Sequence, residues 1–348
     1  MKLVTFQTKN STEMMFGFVF RQKYVISFHT MILKTGNPIH CLHNMNLYLH
    51  HLPMSHQYAE ELYSYADDFF ENINQDDIHC IHDVRLLPPI PSVPALLDFG
   101  LSPRHLKNSA INMVQKEYTW PLNVILKAFM ARKLRGEHAK PNFRYYKCNH
   151  NAIIGNGDTI HWPSFTSYLD IEPELAIVIG KDSTIAGYTI FNDSSARDVQ
   201  IADFLSLTGP AKSKDFNASK GIGPYLVTPD EIDDPLKLEV KVRIGNRLHW
   251  KGSTSEYTAH PLDVVDFVRS IFTPLPGTII GMGTIPDCCA IETDEWLLPS
   301  DQIEISFSKL GTLTQYIPDC IEIKNKSRWP NRVDLISTKK REEIGSCP

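Results

Sequence analysis

The chain carries no CxxC motif, no HExxH, no GxGxxG and no Walker loop. Those absences exclude a cysteine-rich zinc fold, a zincin-type centre and the common nucleotide cradles. Cysteine is sparse and odd in number, at seven, and only Cys288 and Cys289 are close in sequence. Adjacent cysteines do not readily form an unstrained disulfide, so free buried thiols are expected. No basic stripe with interleaved aromatics is present and the net charge is -5, which argues against a nucleic-acid partner. No apolar run approaches a membrane span, and the start MKLVTFQTKNST lacks the apolar core and small-residue cleavage site of a secretory leader. A cytoplasmic protein with no membrane partner is therefore expected. Internal repeats, low-complexity tracts and heptads are also missing.

What remains is 348 residues with 42% apolar and 22% charged content and 23 prolines, the makeup of a globular chain rich in turns and strands. The histidines at 40, 43, 50 and 51 read as surface or loop positions. Residues 1–85 read as a small N-terminal β-rich domain with strands near VTFQT, FGFVF and YVISF. A helix follows in SHQYAEELYSYADDFFENI, where Tyr58, Leu62, Tyr65 and Phe69 recur at helical spacing behind a Ser55 cap. Pro88, Pro89, Pro91 and Pro94 then fix φ and remove donors, which makes a stiff connector and a boundary, with residues 86–348 as the second domain. QKEYTWPLNVILKAFMARKLRGEHAK reads as partly helical or loop. Beyond about residue 144 strand signals dominate. LEVKVRIGNRLHW alternates up to a turn at Gly245 and Asn246, PLDVVDFVRSIF is a short helix opened by Pro261, and DQIEISFSKLGTL returns to alternation.

The stretch YLDIEPELAIVIGK, residues 168–181, carries chemistry as well as structure. Asp170, Glu172 and Glu174 alternate with apolar residues, so an extended chain places three carboxylates on one face. Either that face points to water or something neutralises it. A second acidic segment, GYTIFNDSSARDVQ, ends a strand at Asp193. Carboxylates gathered at strand ends suit a hard divalent cation, which prefers oxygen ligands.

The ordered run LLDF (96–99), DIEPELAIVIGK (170–181), GYTIFNDSSARDVQ (187–200), GPAKSKDF (209–216), GIGPYLVT (221–228), GTIIGMGTIPD (277–287) and IETDEWLLPSDQIEISFSKLGTL (291–313) resembles the fumarylacetoacetate hydrolase family. The resemblance covers about residues 83–313. It implies an α+β fold, mainly β, with a mixed β-sheet roll after the small N-terminal β domain, and a homodimer. It also implies a divalent metal, Mg²⁺ first with Ca²⁺ or Mn²⁺ as alternatives, on Asp98, Glu172, Glu174 and Asp193. Asp170 then faces a loop or a charged neighbour.

The same resemblance makes His105 the general base, with Glu292 as its partner and Glu295 as the rival. Lys214, rather than Lys212, becomes the lysine near the reacting carbonyl, while Arg197, Gln200, Tyr146 and Thr284 become substrate contacts. The implied activity is hydrolysis of a C–C bond in a β-diketone or acylpyruvate-type 2-keto acid. Alternatives on the same scaffold are a decarboxylase or a tautomerase (isomerase) of a 2-keto acid, and an inactive metal-binding member. Gly100 stands where many fumarylacetoacetases carry an aromatic, and no counterpart of a second substrate-binding arginine follows His105.

Overall fold

The computed structural model describes residues 1–70, 77–134, 141–207, 209–324, 328–330 and 332. The chain opens with β1 (Lys2–Thr8), β2 (Met15–Phe20) and β3 (Tyr24–Ser27), then α1 (Phe28–Thr35), α2 (Met45–His50) and α3 (Met54–Asp68). Short strands β4 (Ile78–Cys80) and β5 (Val84–Leu86) precede β6 (Leu96–Phe99), α4 (Pro103–Glu117), α5 (Leu122–Lys133), β7 (Tyr145–Lys147) and β8 (Ile153–Ile154). The acidic segments form β9 (Leu169–Asp170), β10 (Pro173–Ile179), β11 (Ile185–Asp193) and β12 (Ser195–Ala196), followed by α6 (Arg197–Leu205), α7 (Ala211–Lys214) and β13 (Lys220–Val227). The remainder is β14 (Glu239–Ile244), β15 (Leu248–Ser253), α8 (Pro261–Ile271), β16 (Ile279–Gly281), α9 (Ala290–Thr293), β17 (Gln302–Phe307) and β18 (Gly311–Tyr316).

Two kinds of strand sequence build two kinds of sheet. In β10 every residue of PELAIVI is buried, as a central strand covered on both faces requires. It lies inside a twelve-stranded sheet ordered β4-β3-β2-β1-β13-β11-β10-β16-β6-β7, with β5 beside β1 and β8 beside β13. The pairs β6–β16 and β8–β13 are parallel and the others antiparallel, so the sheet is mixed. By contrast β14 alternates exposed and buried along EVKVRI and sits in a separate sheet ordered β15-β14-β17-β18. The fold is α+β with a mixed β-sheet, as the resemblance implies. β1 pairs with β13 through Lys2↔Val227 and Leu3↔Leu226, so the first strand of the chain joins the same sheet as the strands that carry the acidic segments.

Several local expectations change. Ser55 does not cap α3, which starts one residue earlier; the Ser55 hydroxyl is buried and donates to Tyr48 O at 2.6 Å. The buried face of that helix is Ser55, Ala59, Leu62 and Ala66, mostly small residues that let it lie close to α1 and α2. Its aromatics flank that face, Phe69 being 45% exposed, and the last three residues of the expected helix lie outside the described residues. In α8 the buried stripe is Val264, Val265 and Val268, while Ile271 faces out. Cys41, Cys148, Cys288 and Cys289 are buried free thiols and Cys80 is a half-buried one, but Cys320 is disulfide-bonded. Among the described residues no helix is long and apolar enough to cross a membrane.

Candidate active site

Three of four adjacent strands aim acidic side chains at one place, and the fourth supplies a glycine there. Parallel pairing of β6 with β16 sets Asp98 opposite Gly281, and antiparallel pairing of β10 with β16 sets Ala176 opposite the same glycine. Glu174 precedes that register point on β10, and Asp193 ends β11 alongside. One carboxylate oxygen from each of Asp98, Glu174 and Asp193 lies within 4.8 Å of the others, and all three residues are buried. A Cβ on Gly281 would sit 2.7 Å from Glu174 Oε2 and 3.0 Å from Asp98 Oδ1, so only glycine leaves the space open. Gly283, at φ +104, donates its N–H to Glu174 Oε2 at 2.9 Å, and Thr284 Oγ1 lies 3.4 Å from Glu174 Oε1.

Burial first, and then the Asp193 charge, push Asp98 up to about 7, against the pull of Lys214. Burial and the neighbouring Asp98 carry Glu174 well above the usual carboxyl range. Asp98 Oδ1 is buried without a hydrogen-bond partner. Clustered oxygens, an orphaned acceptor and a space closed by a single methyl group all fit a hard divalent cation.

Glu172 is not part of that trio. The chain leaves β9 after Asp170 and enters β10 at Pro173, so the extended run expected across 168–181 is broken at Ile171 and Glu172. The three acids therefore point into three environments, all buried, and none faces water. Glu172 Oε2 pairs with Lys214, while Oε1 lies 2.7 Å from Arg197 Nη2 and 3.3 Å from His105 Nε2. Burial opposes its charge, but Arg197, Lys214 and His105 outweigh it and hold Glu172 well below the usual range. Lys214 also pairs with Asp193 and so bridges Glu172 to the trio; Lys212 is exposed, its ammonium over the Phe165 ring.

Asp170 has a charged neighbour and a larger structural part than a flanking acid. It is fully buried, accepts from Arg197 Nε at 2.8 Å, and accepts the N–H groups of Ala290 and Ile291 at 2.6 and 3.0 Å. Asp170 thus fixes both Arg197 and the start of the short helix that bears Glu292. Arg197 Nη1 in turn donates to Gln200 Oε1 at 3.0 Å, and both residues are buried. Sequence alone suggests that Asp170→Asn is mild. These contacts instead give an expected loss of about 3 kcal/mol, the scale for breaking a buried ion pair, read from denaturant melts of the metal-free protein. An unchanged midpoint would contradict this account.

His105 sits in the first turn of α4, its ring between two carboxylates. Nδ1 lies 3.1 Å from Glu292 Oε2, and Ser109 Oγ lies 3.3 Å from each ring nitrogen. Burial alone would lower the imidazole pKa, yet Glu292 and Glu172 push it up to about 9. The rival Glu295 is exposed and accepts from Trp250 Nε1 at 2.9 Å.

One residue escapes sequence reasoning. Lys220 is fully buried at the start of β13, opposite Asp193 in register; it pairs with Asp193 and donates to Tyr146 O–H at 3.0 Å and to Lys214 O at 2.8 Å. Tyr146 donates to Asp193 Oδ2 at 2.8 Å. Only the β11–β13 pairing reveals the lysine, because nothing in the local sequence marks it.

The family model described as fumarylacetoacetate (FAA) hydrolase C-terminal matches residues 127–317, more than half of the chain. An uncharacterized protein of Archaeoglobus fulgidus is 34% identical over 172 residues, which are 47% of this chain and 64% of that protein, short of two thirds of its length. Maleylpyruvate hydrolase from Sphingobium sp. SYK-6, in complex with manganese (II) ion and pyruvate, is similar in fold at a TM-score of 0.61 and 17% identity, over 91% of this chain and 99% of that one. 5-Carboxymethyl-2-hydroxymuconate delta-isomerase from Mycobacterium smegmatis is similar at a TM-score of 0.59 and 21% identity, over 91% and 99%. The matched stretch holds the carboxylates of β10 and β11, the buried lysines and Glu292, and on that match the chain belongs to the fumarylacetoacetate hydrolase family.

Proposed function

We propose that this protein is a divalent-cation-dependent hydrolase that cleaves the C–C bond of an acylpyruvate-type 2-keto acid or related β-diketone. One observation carries the reading: a cradle of buried carboxylates stands beside a histidine held by its own carboxylate, with Glu172 touching the histidine and joined to the cradle through Lys214. Asp98, Glu172, Glu174 and Asp193 would hold the ion, Mg²⁺ by preference because every donor is a hard oxygen. Bound there, it supplies Lewis-acid polarisation to neighbouring carbonyl oxygens. With a cation engaged by Glu172, the pull of that carboxylate on His105 would weaken, and Glu292 would be the partner that chiefly tunes the imidazole.

His105 takes a proton from water through Nε2, the nitrogen turned toward Glu172, while Glu292 at Nδ1 fixes the ring and stabilises the imidazolium. The hydroxide oxygen adds to the acyl carbonyl, the C–C bond breaks, and the imidazolium proton passes to the enolate carbon to give a carboxylic acid and a 2-keto acid. Lys214, cationic against Asp193 and Glu172, offsets the developing negative charge. Tyr146 and Thr284 act as substrate contacts at the cradle's rim. Arg197 and Gln200 stand one layer back and serve the substrate indirectly, by fixing Glu172.

The test is a panel of acylpyruvates incubated with the protein and Mg²⁺ or Mn²⁺. The expected result is one equivalent each of pyruvate and carboxylic acid per substrate consumed, abolished by a chelator. Carbon dioxide release, or a tautomer with no acid product, would replace this reading with a decarboxylase or an isomerase.

A further inference from the structure

We propose a second metal site in this protein, suited to a borderline-soft ion such as Zn²⁺, formed by His105 Nδ1, Cys289 Sγ and Glu292 Oε2, whose occupation switches off the His105–Glu292 pair. The three atoms are mutually close: Nδ1 to Oε2 is 3.1 Å, Sγ to Oε2 is 3.2 Å and Sγ to Nδ1 is 3.7 Å. Zinc bonds of about 2.0–2.3 Å at tetrahedral angles set nitrogen, oxygen and sulfur ligands roughly 3.3–3.6 Å apart. The triangle therefore has edge lengths close to those of one face of a zinc tetrahedron. His105 and Cys289 are buried, and the Glu292 side chain is 1% exposed.

The surroundings support ligation. A metal-bound histidine is oriented by a carboxylate on its other ring nitrogen. Here Glu172 Oε1 lies 3.3 Å from Nε2 and fills that place. The Asp287 N–H donates to Glu292 Oε2 at 2.8 Å and fixes the carboxylate, whose Oε1 is buried without a hydrogen-bond partner. The donor set also separates the two sites. The cradle offers only carboxylate oxygens and favours a hard ion, whereas nitrogen, sulfur and oxygen together favour zinc.

Binding releases the Cys289 thiol proton and the Nδ1 proton of the imidazolium to solvent, and leaves the ring proton on Nε2. An imidazole metallated at Nδ1 and protonated at Nε2 cannot accept a proton from water. The switching effect rests on the proposed role of His105, whereas the site itself does not.

Co²⁺ is the probe, added to the full-length, chelator-treated protein. The expected spectrum shows a sulfur-to-cobalt charge-transfer band with the visible bands of a four-coordinate ion at one equivalent. That spectrum should be lost in Cys289→Ser and Cys289→Ala, each checked by its melt to be folded, and kept in Glu174→Gln. No sulfur band in the wild type, or an undiminished band in both cysteine variants, overturns the site. With acylpyruvate turnover as the second readout, equimolar Zn²⁺ should inhibit the Mg²⁺-loaded wild type at least about tenfold more strongly than Cys289→Ser, the lower end of the cost of disturbing a metal ligand's setting. A cobalt band without zinc inhibition overturns the switch, and with it the base role of His105, while the metal site stands.

Discussion

Glu174→Gln is expected to weaken divalent-cation binding by at least about a hundredfold and to remove activity, since even outer-shell changes cost 10–100-fold in affinity. It should do so without destabilising the metal-free protein. Glu174 is surrounded by anions, with Asp98 and Asp193 within 4.8 Å, so losing its charge relieves repulsion. Glu172→Gln should also weaken binding, but with the opposite effect on the empty protein, because Glu172 holds Lys214, Arg197 and His105 together. Calorimetry with Mg²⁺ and melts in chelator separate the two cases; wild-type affinity in Glu174→Gln would sink the cradle.

The same site sets a pH dependence. Asp98 has a folded pKa raised to about 7 from 3.8, so the stability it contributes is full below about pH 4 and is lost as the pH climbs through 7. A cation should restore that loss.

His105→Ala should lower turnover of a hydrolysed acylpyruvate by at least about a hundredfold, the usual scale for a general base, while the cation still binds. Glu292→Gln should also cut turnover strongly and have a second signature. Removing the anion beside Nδ1 lowers the imidazole pKa. In NMR titrations of the metal-free protein, His105 should titrate near 9 in the wild type and clearly lower in Glu292→Gln. The acidic limb of the rate profile should move to lower pH with it. Glu295→Gln should change neither, since its carboxylate is engaged by Trp250. Turnover near wild type in His105→Ala would remove the base from the mechanism.

Much of this was legible in the residues. The alternation in EVKVRI marked a strand with one covered face, whereas the run PELAIVI, read only for its alternating acids, is covered on both faces. The acids at 98, 172, 174 and 193 stood out by ordered motifs, and Glu292 by its place after the GMGT turn. Two kinds of information were not legible. A period-two reading cannot see that the strand breaks at Ile171 and Glu172, which sends Glu172 among cations and Glu174 among anions. Nor can local sequence show Lys220, whose role depends on which strand becomes its neighbour. Ser55 is a smaller case: a serine ahead of a periodic run reads as a cap, but its hydroxyl serves a carbonyl of the preceding helix.

The pairing of β1 with β13 also has a meaning in time. Leu3 meets Leu226 and Lys2 meets Val227, so the second residue of the chain waits for one made 225 positions later. At about 5–20 residues per second of synthesis, that wait is roughly 11 to 45 s. Through it β2 can cover one edge of β1, and β5 can cover the other edge only from Phe6 to Thr8. A short open edge at Lys2 and Leu3 is thus carried by the nascent chain until its partner emerges. Premature release before β13 is made leaves that edge unpaired and open to pairing with another chain.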